Sequence, residues 1–263
     1  MNLEVLVTTM HQNDTSKYEQ MNLKSDAIIA NQANDCSFVE EKKGEHIVKM
    51  ITTNTRGTSI NRNMAIMYAT ANYIMFADDD MVLVDDYEQL VEEEFKKCPT
   101  ADAIKFYCES TNPQRQLSFK KPKALKKATK RNIMSAGVVG LVLRRDFLEK
   151  NCIYFQKNIG PGNDIYCGED SVFLSDILSA KAKMYVSPKL VSYINQGESS
   201  WNEGLTERRI CAMGYIYSRV YGRAAILAMY RRAYLLRKKT KNYSFLQLIQ
   251  LMKKGMKQQR NDK

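Results

Sequence analysis

The 263-residue chain is poor in metal-binding side chains: it has only two histidines, and its six cysteines never form a Cys-x-x-Cys pair. Cys36, Cys98, Cys108, Cys152, Cys167 and Cys211 are scattered. This argues against a structural zinc site and reads as the reduced thiols of a cytoplasmic protein. Nowhere do eighteen apolar residues run together, so no membrane-spanning helix is expected. Residues 1–10 lack a basic leader and turn polar after a few apolar positions, which reads as a first strand and not a signal peptide. There is no low-complexity tract either, and 44% hydrophobic with 26% charged residues is the composition of a chain that buries a core without staples.

Positive charge is abundant but unevenly placed. Residues 206–263 hold 15 Lys and Arg against Glu207 and Asp262, whereas residues 1–205 hold 25 basic and 27 acidic residues. A near-neutral body with a strongly cationic tail argues against a catalytic domain shaped to grip nucleic acid. It favours an appendage that meets an anionic surface.

Along residues 1–205, short apolar runs alternate with helical periodicity, as in a sheet wound with helices. Strands are expected at residues 3–8, 26–30, 46–52, 73–77, 103–107, 137–143 and 183–186, and helices at 59–71, 85–97 and 171–180. Residues 120–131 carry seven basic residues and no acid. They read as a solvated loop or as a mobile one that attracts phosphate. In the tail, Ile210, Met213, Tyr217, Val220, Ala224, Leu227 and Tyr234 share one helical face, and Phe245, Leu248, Ile249, Met252 and Met256 share another. The second stretch, furthest from the body, is the better candidate for contact with lipid.

Two acidic clusters carry the chemistry. An apolar run from Tyr73 ends in Asp78, Asp79 and Asp80, and like charges at one strand end repel unless a cation sits among them. Hard oxygen ligands select Mg²⁺ or Mn²⁺, and open α/β sheets bind ligands at the carboxyl ends of their strands. The second cluster, Glu169 and Asp170, opens a helical pattern after a glycine-rich segment. One of its carboxylates is a candidate general base; helix capping is the competing role.

These clusters, together with Arg56, Gly57, Arg62, Asn63 and Phe76, resemble in order and spacing the inverting family-two glycosyltransferases. That resemblance covers roughly residues 3–190 and implies a GT-A fold: a Rossmann-like, nucleotide-sugar-binding mixed sheet flanked by helices, here with a C-terminal helical extension. It makes Asp78 and Asp80 the ends of a D-x-D motif. Asp80 would ligate Mn²⁺ or Mg²⁺, and Asp78 would lie nearer the ribose. Thr9, Arg56 and Asp79 would border the nucleotide-sugar, Asp79 with the smaller effect. Asp170 would be the catalytic base and Glu169 would orient the acceptor. Where the family usually has D-D-G-S, this chain has Ala30-Asn31-Gln32-Ala33, so Asn31 or Gln32 would contact the base by its amide. The late metal-binding histidine is absent. Trp201, the only tryptophan, would stack on an acceptor sugar or join tail to domain.

The expected protein is therefore a catalytic domain over residues 1–205 and a basic amphipathic tail over 206–263. Its partners would be a UDP-sugar, a glycan or lipid-linked acceptor, and the anionic inner face of the cell membrane, with no nucleic acid. The alternatives are another metal-dependent phosphoryl-transfer enzyme, or a basic protein that binds nucleic acid or an anionic surface. The first lacks a P-loop and the second any recognisable nucleic-acid motif.

Overall fold

The computed structural model describes residues 1–115, 117–133, 136–195, 204–240 and 242–261. In chain order the elements are β1 (Leu3–Met10), α1 (Lys17–Gln20), β2 (Asp26–Gln32), β3 (Ser37–Lys43), β4 (His46–Thr53), α2 (Thr58–Tyr68), β5 (Tyr73–Asp78), β6 (Met81–Leu83), α3 (Tyr87–Lys97), β7 (Ala103–Ser110), β8 (Lys126–Lys127), α4 (Lys130–Ile133), β9 (Leu141–Arg144), α5 (Arg145–Lys150), α6 (Glu169–Ser179), β10 (Met184–Ile194), α7 (Glu207–Tyr221), α8 (Ala225–Lys239) and α9 (Phe245–Asn261). The strands form one mixed sheet in the order β3-β4-β2-β1-β5-β9-β7-β10-β6, with β8 pairing β10. Strands β4, β2, β1 and β5 are parallel neighbours, so their carboxyl ends meet along one edge.

Strand β1 shows why the sheet is covered on both faces. Leu3, Val5 and Val7 pack with Tyr87, Val91 and Phe95 of α3 in one cluster. Leu6, between them, points to the opposite face, among Ala65 and Ile66 of α2 and Phe173 and Ile177 of α6. Strand alternation with both faces buried produces the continuous apolar run seen in the sequence. Within the second cluster, Phe155 stacks on Phe173 at 3.9 Å between ring centroids, and Phe76 meets both rings edge-on. This fixes α6 beneath the end of β5. Glu4, buried in β1, accepts from the backbone N–H groups of Thr70 and Ala71 at 2.6 and 2.8 Å, which ties the α2–β5 connection to the sheet.

The tail differs from the expected pair of continuous amphipathic stretches. Gly222, with φ of 51°, breaks the first stretch, and a 3₁₀ turn over Gly222–Ala224 separates α7 from α8. Helix α7 packs on the body, where Ala212, Tyr215, Ile216 and Val220 share a cluster with Ile159, Ile165 and Val172. The expectation that α9 turns its apolar face to lipid is corrected: Leu248 and Met252 are 0% exposed, packed with Ile210 and Met229. Two glycines permit this approach. A Cβ on Gly214 would lie 2.0 Å from the Met252 carbonyl oxygen, and one on Gly255 1.8 Å from that of Cys211. Most of the large apolar side chains left exposed in the tail lie on α8, namely Ile226, Leu227, Tyr230, Tyr234 and Leu235, with Leu227 76% exposed; on α9 Leu246 is exposed as well.

Candidate active site

The site forms where β1, β2 and β5 end and where α2 and α6 begin. Thr8 and Asp78 are register partners on parallel strands, and the Thr8 hydroxyl donates to Asp78 Oδ1 at 2.8 Å. The Thr9 hydroxyl donates to Asp79 Oδ2 at 2.5 Å, so neighbouring residues of β1 hold neighbouring carboxylates apart. Lys17 Nζ donates to the Asp79 carbonyl at 3.3 Å and brings a cation to the cluster.

Asp80 has a different environment. It is exposed, yet enough protein crowds its carboxyl that desolvation, followed by the Asp78 and Asp79 charges, pushes its pKa up to about 6 against the opposing pull of Lys17. Among the described residues no three His, Cys, Asp or Glu side chains form a ready-made cation cage. One carboxylate crowded by two others still fits a hard divalent ion that completes its shell with phosphate and water. The ion's charge would relieve the repulsion from Asp78 and Asp79 that adds to desolvation in raising the Asp80 pKa.

Arg62 joins the two acidic clusters. It sits on α2, one turn from Gly57, whose φ of 112° lets the chain enter the helix beneath the 159–163 loop. Its guanidinium is buried, with the side chain 4% exposed, and reaches Asp170 Oδ1 at 2.6 Å, Asp78 Oδ1 at 3.1 Å and Glu169 Oε1 at 3.8 Å. It also lies over the Phe155 ring at 5.3 Å. The other oxygen of Asp170, Oδ2, accepts from the Val138 N–H at 3.1 Å. Glu169 is held protonated to higher pH than an ordinary carboxyl, chiefly by burial and then by the Asp170 charge, with Arg62 opposing. A cleft of about 340 Å³ opens over these groups, lined by Arg62, Asp78, Glu169 and Asp170 and bordered by Tyr166 and Arg209.

Asn31 and Gln32 end β2 and Arg56 follows β4; none of the three is among the residues that line the cleft. Asn31 is fully buried, and its amide is engaged at both ends: Oδ1 accepts from Gln12 N–H at 3.0 Å, while Nδ2 donates to the Gln12 carbonyl at 2.9 Å and to Thr52 Oγ1 at 3.1 Å. Gln32 Nε2 donates to the Gly57 carbonyl at 3.2 Å. Arg56 is exposed and spans the ends of β2 and β4, donating to the Ala33 carbonyl and Asn34 Oδ1 at 2.8 Å each. Trp201 lies outside the described residues. Arg209, which borders the cleft, and Lys17, beside Asp79, belong to none of the sequence motifs. Arg209 comes from the tail, and Lys17 from a short helix with no motif around it, so nothing in the sequence signals either. The linking role of Arg62, which does belong to a motif, is not signalled by it either.

This is the architecture of the GT-A fold, a mixed sheet flanked by helices, with a C-terminal helical region. Residues 27–152 match the family model described as glycosyl transferase family 2, the family that the motifs resemble. Similar solved structures include S. aureus TarS 1–349 in complex with UDP-GlcNAc, with a TM-score of 0.64 and 16% identity, covering 84% of this chain and 67% of that one. A structure of S. aureus TarS aligns with a TM-score of 0.60 at 16% identity over 84% of this chain, which spans only 40% of its length. TarS 1–349 in complex with UDP aligns over 100% of this chain and 92% of that one, with a TM-score of 0.59 and 14% identity. Identities this low speak for the fold. No curated protein matches the sequence.

Proposed function

We propose that the protein is an inverting, metal-dependent glycosyltransferase that moves a sugar from a UDP-sugar to a glycan or lipid-linked acceptor, as in surface polysaccharide synthesis. The observation that carries this reading is the convergence of Asp78, at the end of β5, and of Glu169 and Asp170, at the start of α6, on one cleft around the buried Arg62. Thr9, Gln32, Arg56, Asp78 and Asp79 would border the nucleotide-sugar, and Asn31 braces the end of β2. Mn²⁺ or Mg²⁺ held by Asp80 would supply Lewis-acid stabilisation of the negative charge that grows on the departing nucleoside diphosphate. Asp170 accepts the proton of the acceptor hydroxyl as that oxygen attacks the anomeric carbon, while Arg62 and the Val138 N–H hold its two oxygens in place. Glu169 orients the acceptor.

One observation favours a second reading of the base. Glu169 faces the same cleft with its proton affinity raised by burial, whereas both oxygens of Asp170 are engaged. On that reading Glu169 takes the proton and Asp170 anchors Arg62.

The tail supports peripheral docking of this cytoplasmic enzyme on the anionic inner face of the membrane. Helix α8 presents exposed Ile226, Leu227, Tyr230 and Tyr234 and ends in Arg237, Lys238 and Lys239. Among the described residues no helix is long and apolar enough to cross a membrane. The test of the whole reading is UDP release from a panel of UDP-sugars with Mn²⁺ present. Release from at least one donor, abolished by EDTA, is expected; no release from any donor with lipid-linked and glycan acceptors supplied would remove it.

A further inference from the structure

A second cavity, larger than the catalytic cleft, lies between α6, α7 and α8, with a volume of about 690 Å³. Its floor is apolar, built from Met213, Ile216, Tyr217 and Val220 of α7. Its rim is cationic: Lys130, which belongs to the basic segment 120–131 and opens α4, and Arg231 and Arg232 of α8, with no carboxylate in the lining. Cys167 lines both this groove and the catalytic cleft, so the two adjoin at the segment preceding α6.

The cations are not held in close ion pairs, although Asp176 lies near enough to Lys130 to feel its charge. Among the described residues none of the three forms a salt bridge, and the nearby Asp176 is held by Arg219 at 3.0 Å. Lys130 Nζ donates only to the Val220 carbonyl, at 3.2 Å, at the edge of the groove. Arg232 Nε is one of two buried side-chain polar atoms without a hydrogen-bond partner among the described residues; the other is Ser192 Oγ, on β10. A buried guanidinium donor left unpaired is costly unless a ligand answers it.

We infer that this groove binds the carrier end of a lipid-linked acceptor, an apolar chain on the α7 floor with its phosphate head between Lys130, Arg231 and Arg232. The chemistry follows from the lining. A free phosphate would use the rim and leave the floor empty, and a neutral chain would leave three cations unanswered. An amphiphile with one anionic head satisfies both, because Arg and Lys pair well with phosphate while the floor takes the chain out of water. The word acceptor rests on the glycosyl-transfer reading; the binding of a phosphate-headed lipid does not.

The test is calorimetric binding of dodecyl phosphate, below its micelle concentration, to the full chain. Inorganic phosphate and dodecyl maltoside serve as half-ligands. Dodecyl phosphate should bind at least about tenfold more tightly than either, and Arg231→Ala/Arg232→Ala should weaken it by about tenfold or more. Because Arg232 is partly buried, Arg231→Glu, a change at an exposed position, provides a variant that leaves packing intact and should lower affinity in the same direction. Equal affinity for inorganic phosphate, unchanged binding by Arg231→Glu, or capture by anionic vesicles without binding of monomeric dodecyl phosphate would each overturn the inference. UDP-sugar binding measured on the same preparations separates the two proposals. Groove binding without UDP-sugar binding upholds the groove and overturns the transferase reading, and the reverse result overturns the groove alone.

Discussion

Replacing Arg62 by Met keeps most of the side-chain volume and removes the one buried cation that three carboxylates share. In the native protein Asp170, Asp78 and Glu169 lie 2.6, 3.1 and 3.8 Å from its guanidinium, which is 4% exposed and so little screened by solvent. Removing one partner of a buried ion pair typically costs ~3–5 kcal/mol, because the charge left behind has no compensation. At about 2–4 °C per kcal/mol for a chain somewhat smaller than this one, the midpoint should fall by roughly 10 °C. The loss should depend on pH with a definite sign. The uncompensated carboxylates of the folded variant take up protons in acid, so the difference from wild type should be largest near pH ~8 and should shrink towards pH ~5. Arg62→Lys should fall between the two, since one ammonium supplies charge but not the fork that reaches both clusters. Thermal unfolding of the three proteins across that range is the assay. A loss below ~1 kcal/mol, or one that does not vary with pH, would refute the idea that Arg62 ties the clusters together.

Other changes probe the chemistry and the tail. Asp170→Asn should cut turnover by roughly 10²- to 10⁴-fold with UDP binding nearly intact; the same pattern in Glu169→Gln, with Asp170→Asn instead losing donor affinity, would transfer the role of base to Glu169. Glu169 has a folded-state pKa raised by burial, so the folded protein holds that proton more tightly than the unfolded chain, and stability falls as pH rises from the ordinary carboxyl value through the raised one. Glu169→Gln should therefore raise the midpoint at pH ~8 and change it little at pH ~4, as read by calorimetry; an equal shift at both would point to packing instead. For the tail, Leu227→Glu, at a 76% exposed position of α8, should release the protein from anionic liposomes in a sedimentation assay while sparing transfer to a soluble acceptor. Undiminished sedimentation would place any membrane contact elsewhere.

What could be read from the sequence follows physical lines. Strands such as β1 and β5 were legible because burial on both faces demands apolar runs that end abruptly at polar residues. Strand β3, Ser-Phe-Val-Glu-Glu-Lys-Lys, was missed because it is a largely exposed edge strand, paired only with β4. Strand β10 runs to Ile194, well beyond the expected residue 186, because its polar middle, Ser187 to Lys189, coincides with register shifts that blur the alternation. In the tail, periodicity gave the apolar faces but not what covers them, and α9 turned out to face α7. The available signal was glycine: Gly214 and Gly255 sit inside helical patterns, where a missing side chain marks close backbone approach. The carboxylates of the site were legible as motifs. That Arg62 bridges them is a tertiary fact no spacing reveals, as is the engagement of the Asn31 amide by Gln12 and Thr52.

The central claim is that the end of β5 holds a divalent ion and, through it, a nucleotide-sugar diphosphate. The most direct measurement is calorimetric titration of UDP-sugars into wild type and Asp80→Ala, each with Mn²⁺ and with EDTA. The account predicts binding by wild type that requires Mn²⁺ and no such binding by Asp80→Ala. UDP-sugar binding of equal strength in all four conditions, or in none of them, would contradict it.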